Sequence, residues 1–168
     1  SVLDINDTLH MWYAGLNEAG DPMVIGHAFS TDDGLTWTRN PEIPVLNTGP
    51  QGSWDEGHVY LPLVIYDESN SIFHMWYTGG DASGNEAGGY ASSTDGINWT
   101  KYALNPLDIS VGSSAILLKD NKFHLWGRYS NQDGWVLGYY RSEDGITWSE
   151  VENPVMSPED GKWDYPRV

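Results

Sequence analysis

Residues 30–37 read STDDGLTW, an Asp-Gly pair followed three residues later by a tryptophan. Glycine takes positive φ at little cost, so Asp33-Gly34 predicts a tight turn, with Asp33 hydrogen-bonding its own loop and Trp37 on the far side. The pattern returns twice. DDGLTW (32–37) is answered by TDGINW (94–99) and EDGITW (143–148), with Asp95 and Asp144 in the place given to Asp33. A second element, LHMWYAG (9–15), returns as FHMWYTG (73–79) and FHLWGRY (123–129). From the histidine of the aromatic element to the tryptophan of the turn the separation is 27, 25 and 24 residues, always in the same order. Three copies of one unit build the chain.

Each copy resolves into strands. The aromatic run is followed by MVIGHAFST, GGYASST or VLGYYRS, then the Asp-Gly turn, then a short outer strand, TWTRN, NWTKY or TWSEV. An apolar stretch precedes each run: SVLDIND (1–7), YLPLVIYD (60–67) and SSAILLKD (113–120). Nine Trp, ten Tyr and 19 Gly, without helical periodicity, fit short strands and tight turns. Four antiparallel strands per repeat predict an all-β fold of β-propeller blades, about three in this chain. The copies run approximately 1–40, 54–103 and 110–151, and 161–168 starts or completes another blade.

Eight basic residues against 24 acidic ones give a net charge of −16. Such a surface repels phosphate backbones and anionic lipid, so neither nucleic acid nor membrane is expected as a partner. Cysteine is absent, which excludes disulfides and thiolate chemistry. No apolar run reaches the length of a membrane-spanning helix.

A linker also repeats, with PVL (44–46) leading to GSWDEGHV (52–59) and PVM (154–156) to GKWDYPRV (161–168). WDYPRV stands where another blade's first strand should begin, and SVLDIND resembles the end of one. Three arrangements are consistent with this: a piece of a five- or six-bladed ring, a homodimer closing a six-bladed ring across a two-fold, or an open arc with exposed edges.

The series W-D-x-x-x-V, apolar strand, H-M-W-Y-x-G, I-G-x-A-x-S-x-D-G-x-x-W, N-P resembles the five-bladed propeller glycoside hydrolases of families 43, 32 and 130. The likeness runs over nearly the whole chain and rests on blade-building residues. It implies a carbohydrate partner in a central funnel, acidic side chains on the first strands of successive blades, and an extracellular or periplasmic setting. Glycoside cleavage needs one carboxylic acid to protonate the leaving oxygen and a second carboxylate to activate water or attack the sugar.

Mapped onto this chain, the resemblance makes Glu56, Asp55 and Asp164 the catalytic candidates. His58, Tyr60, Arg167, Trp54, Trp163 and Tyr165 become candidate substrate contacts. His58 and Arg167 each stand four residues after their tryptophan. The third copy offers Ser110, Ser113 and Ser114, with Asp108 upstream, and the RDP and NDP signatures of families 43 and 32 are missing. A non-catalytic glycan-binding or self-assembling module is therefore the alternative. No cofactor is expected, although the turn carboxylates could gather oxygen ligands for calcium. His10, His74 and His124 repeat, but on different blades they need not converge on a metal. Trp12, Trp76, Trp126, Trp37, Trp99 and Trp148 are expected to pack blades together, and Trp135, outside the repeat, to lie at a rim. STDDGLTW also resembles the Asp-box of sialidases, S-x-D-x-G-x-T-W. Sialidases grip a sugar carboxylate with clustered arginines, and this chain has only Arg39, Arg128, Arg141 and Arg167.

Overall fold

The computed structural model describes residues 1–16, 22–109, 112, 114–131 and 134–157. β1 (Val2–Ile5), β2 (Thr8–Gly15), β3 (Val24–Ser30) and β4 (Thr38–Arg39) form a first antiparallel sheet in that order. β5 (His58–Asp67), β6 (Ile72–Gly80), β7 (Glu86–Ser93) and β8 (Thr100–Lys101) form a second. β9 (Ser114–Lys119), β10 (Lys122–Asn131), β11 (Gly134–Ser142) and β12 (Ser149–Met156) form the third. No helix occurs among the described residues. The expected architecture of four-stranded propeller blades is what the chain adopts. It divides into two units, Ser1–Leu107 with the first two blades and Asp108–Val168 with the third.

Local chemistry sets the hairpins. β1 and β2 are joined by Asn6 and Asp7 at φ 53° and 61°, and β9 and β10 by Asp120 and Asn121 at 52° and 58°. A two-residue turn with both φ positive matches strand twist, and Asn and Asp tolerate that region better than other side chains. Between β5 and β6, the Asp67 carboxylate accepts from the Ser69 and Asn70 backbone N–H groups and from Asn70 Nδ2.

The repeated Asp-Gly turn closes on itself. Ser93 Oγ donates to Asp95 Oδ1 at 2.9 Å and accepts from Gly96 N, and Ser142 with Asp144 and Gly145 does the same. In the first copy this part is played by Asp32, not by Asp33. Asp32 accepts from Ser30 Oγ, Thr36 N and Thr36 Oγ1. The first turn has one more residue between its aspartate and its glycine, so Asp33 is an insertion at φ 57°. The expectation for Asp33 is corrected accordingly, whereas Asp95 and Asp144 do hydrogen-bond their own loops.

The core of the first unit lies between its two blades. Trp12, Ile25, Leu46, Val59, Val64, Phe73, Met75, Tyr77 and Ala91 form one buried cluster. Trp12 crosses from blade to blade. Its Nε1 donates to the Gly96 carbonyl at 2.8 Å, and its ring meets Phe73 at 5.8 Å and Trp99 edge-on at 6.2 Å. Trp99 and Trp37 cap their own turns by donating to Gly96 and Gly34 carbonyls. Packing between blades, the part expected of these tryptophans, is seen directly for Trp12 and Trp99. The linkers bury Leu46 and Leu107, each bridging to the third strand of its blade at Ile25 and Gly88.

The repeated histidines are used inside the blades. His10 lies 3.1 Å from His27, His74 Nδ1 lies 2.6 Å from the Tyr90 hydroxyl, and His124 Nδ1 lies 2.6 Å from the Tyr139 hydroxyl. They stack on Trp12, Trp76 and Trp126 respectively. Among the described residues no three His, Cys, Asp or Glu side chains gather as a metal site.

Candidate functional site

The segment WDEGHVY leads from a turn at Trp54–Gly57 into β5, which begins at His58, and from there alternation puts His58 and Tyr60 on one face and Val59 on the other. Asp55 turns into the blade and is 2% exposed. Its carboxylate meets Lys101 Nζ at 2.5 Å, accepts from the Tyr77 hydroxyl at 3.3 Å and from Ser53 Oγ at 3.1 Å. Burial, and then the charge of Asp55, push the Tyr77 phenol far above its ordinary range, so it remains a donor. Asn105 completes the cluster, donating to the Tyr77 hydroxyl and fixing both backbone groups of Tyr90. A buried carboxylate paired this way ties the start of β5 to β6 and β8.

Trp54 packs on the same side, stacked on Tyr77 at 5.9 Å. The slot exists because two glycines border it. A Cβ at Gly79 would lie 2.6 Å from the indole, and one at Gly89 2.8 Å. Glu56 is half-buried, and its Oε2 accepts from the Gly52 N–H at 2.5 Å, closing the turn that precedes β5.

On the opposite face of the second blade, three side chains from two strands converge. His58 Nε2 lies 3.3 Å from Glu86 Oε1, and the Tyr60 hydroxyl donates to the same oxygen at 2.6 Å. The pairing register explains the meeting. His58 is opposite Gly80, and Gly80 is opposite Glu86, so the imidazole reaches the carboxylate by lying across a bare glycine. A Cβ at position 80 would come within 2.3 Å of the ring. Directly after Tyr60 the ladder breaks in a bulge before Leu63, and Leu61 sits at φ 51°. Bulges and left-handed non-glycine residues cost energy and concentrate where a side chain must be re-aimed. Donation to Glu86, burial and the Glu86 charge raise the Tyr60 hydroxyl to about 12, which keeps it protonated as the donor.

Of the residues singled out from sequence, the structure gathers Trp54 and Asp55 around Tyr77 and Lys101, and His58 and Tyr60 around Glu86. Glu56 stands in the turn between the two groups. Asp164, Trp163, Tyr165 and Arg167 lie outside the described residues, as do Ser110 and Ser113, while Ser114 opens β9. Glu86 was not among the sequence candidates. Its segment does not repeat, and the one hint was the Gly79-Gly80 pair, which needs the strand register to be interpreted.

No protein-family model matches the chain. An A type blood N-acetyl-α-D-galactosamine deacetylase of Flavonifractor plautii is 29% identical over 122 residues, covering 64% of this chain and 15% of the relative. A levanase of a Bacillus species (strain L7) is 37% identical over 82 residues, covering 45% of this chain and 8% of the relative. Among solved structures, a family 117 glycoside hydrolase produced by Zobellia galactanivorans superposes with a TM-score of 0.75 at 17% identity, over 90% of this chain and 44% of that one. Fructan 1-exohydrolase IIa of Cichorium intybus gives 0.68 at 20% identity, over 89% of this chain and 30% of that one. A family 130 structure gives 0.69 at 20% identity, over 98% of this chain and 52% of that one. The chain has the blade fold of the propeller glycoside hydrolases. It spans about half or less of the length of each of these proteins.

Proposed function

We propose that this chain is part of a carbohydrate-active β-propeller that meets its glycan at the start of β5. The observation that carries this is the convergence of His58, Tyr60 and Glu86 at the opening of a first strand, on a fold whose solved neighbours are glycoside hydrolases. Glu56 is the candidate acid: it is half-buried, and only one of its oxygens is used by the turn. Asp55 supports the strand from beneath through Lys101, and Asp164 is its sequence counterpart in the repeated Trp-Asp pair at 163–164. Carboxylates on successive rigid strands can flank one glycosidic bond, which is the arrangement hydrolysis needs. Further blades, or a second copy closing a six-bladed ring, complete the funnel.

A non-catalytic glycan-binding module is the second reading. What favours it is the commitment of Asp55 to a buried ion pair, which leaves fewer carboxylates free for proton transfer. The sialidase-like reading rests on the turn at 30–37, whose polar atoms are spent on their own loop. A panel of aryl glycosides tests the proposal. Glu56→Gln should abolish turnover of any cleaved glycoside while leaving the melting temperature within a few degrees. Undiminished turnover removes Glu56 from catalysis, and glycan binding without turnover in the unsubstituted protein supports the module.

A further inference from the structure

The geometry points to Glu86 as the acceptor of a subsite for the hydroxyl groups of a neutral sugar, held in position by Tyr60 and His58; this rests on the carbohydrate reading above. Both internal donors go to one oxygen, Oε1. Oε2 has no partner among the described residues, and Glu86 is 47% exposed against 23% for His58. A carboxylate anchored through one oxygen and open at the other is arranged to receive hydrogen bonds. It suits the paired hydroxyls of a sugar ring and disfavours a uronic or sialic acid, whose own carboxylate it repels.

Four features show that the arrangement is built. The Tyr60 phenol is a fixed donor. The imidazole of His58 packs edge-on against Tyr60, with centroids 5.3 Å apart at 69°. Gly80 leaves the space that the imidazole crosses. The bulge and the left-handed Leu61 follow immediately after Tyr60 in the chain. Tyr60 and His58 act through Glu86 and are positioning residues.

Glu86→Gln tests this sharply. The amide oxygen still accepts from Tyr60, so the local fold stays intact, while the open oxygen becomes an N–H₂ donor. Neutral oligosaccharides that bind the unsubstituted protein, found by glycan array and measured by calorimetry, should bind Glu86→Gln about 10- to 100-fold more weakly, since a hydrogen bond to a charged group is lost. Discrimination against uronate-containing glycans should shrink in the same variant. Tyr60→Phe should give a smaller loss with an unchanged melting temperature, and Glu86→Asp should not restore affinity, because its shorter side chain leaves the Tyr60 hydroxyl out of reach. Full affinity in Glu86→Gln overturns the subsite and leaves the carbohydrate reading standing. Absence of any glycan binding by the unsubstituted protein overturns both.

Discussion

His27 Nδ1 lies 2.6 Å from the Asn40 carbonyl, so it carries the proton and leaves Nε2 as an acceptor for His10. His27 is therefore neutral, and a proton added at its Nε2 would face the N–H of His10. Burial lowers both histidines; the Asn40 bond opposes the shift at His27, and His10 adds to it. A histidine whose folded pKa lies below its unfolded value near 6.5 stabilises the fold fully above that pH, and the contribution is lost as pH falls through it. Urea midpoints should thus drop between pH 7.5 and 5.5, and His10→Gln should flatten the drop; a pH-independent midpoint would contradict this. A second loss should begin below about pH 3.8, where the unfolded chain's aspartates protonate while the folded turn carboxylates stay charged, and it should run on until those protonate too. The Thr36 hydroxyl and N–H hold Asp32 down to about 2, and the Asn98 backbone and side chain hold Asp95 lower still. The turns also show what sequence could and could not disclose at this scale. The Asp-Gly pairs were visible, but aligning them matched Asp33 with Asp95 and Asp144. The Ser-x-Asp spacing shared by Ser30-Asp32, Ser93-Asp95 and Ser142-Asp144 is the better guide, because the serine hydroxyl and the carboxylate bond each other across one residue.

Among elements, the junction of the first two blades is governed by β2 and the turn at Gly96. Trp12→Ala should cost about 3–5 kcal/mol, the range for truncating a buried tryptophan, read by denaturant unfolding. Gly96 is under two constraints, φ +73° and a Cβ position 2.9 Å from the Trp12 ring, whereas a Cβ at Gly34 meets nothing closer than 3.4 Å. Gly96→Ala should therefore destabilise more than Gly34→Ala, although both turns need positive φ. At the start of β5, Lys101→Met strands a buried carboxylate and should cost about 3–5 kcal/mol. The double variant with Asp55→Leu should recover much of it, and equal losses in the single and double variants would contradict the pairing. Strand order and turn positions were legible because the repeat displays them three times. The face on which each entrance residue acts was not, because it depends on register. Asp55 and Glu56 are adjacent in sequence, yet one is buried against Lys101 and the other bonds a turn N–H.

For the molecule as a whole, the aromatic and glycine-rich repeat specified blades, and the solved neighbours share them at 17–20% identity. The chemistry was less legible, because the residues that recur are those that build blades, while Glu86 and the bulge at Leu61 occur once. If a second copy completes the ring, light scattering should report twice the mass of one chain, and a monomer at all concentrations would exclude that closure. The central claim, that the protein acts on or holds carbohydrate, is tested most directly by a glycan array probed with the unsubstituted protein near pH 7. Saturable binding to a neutral glycan, competed by the free oligosaccharide, is the predicted result. A featureless array with no turnover of aryl glycosides would contradict the account.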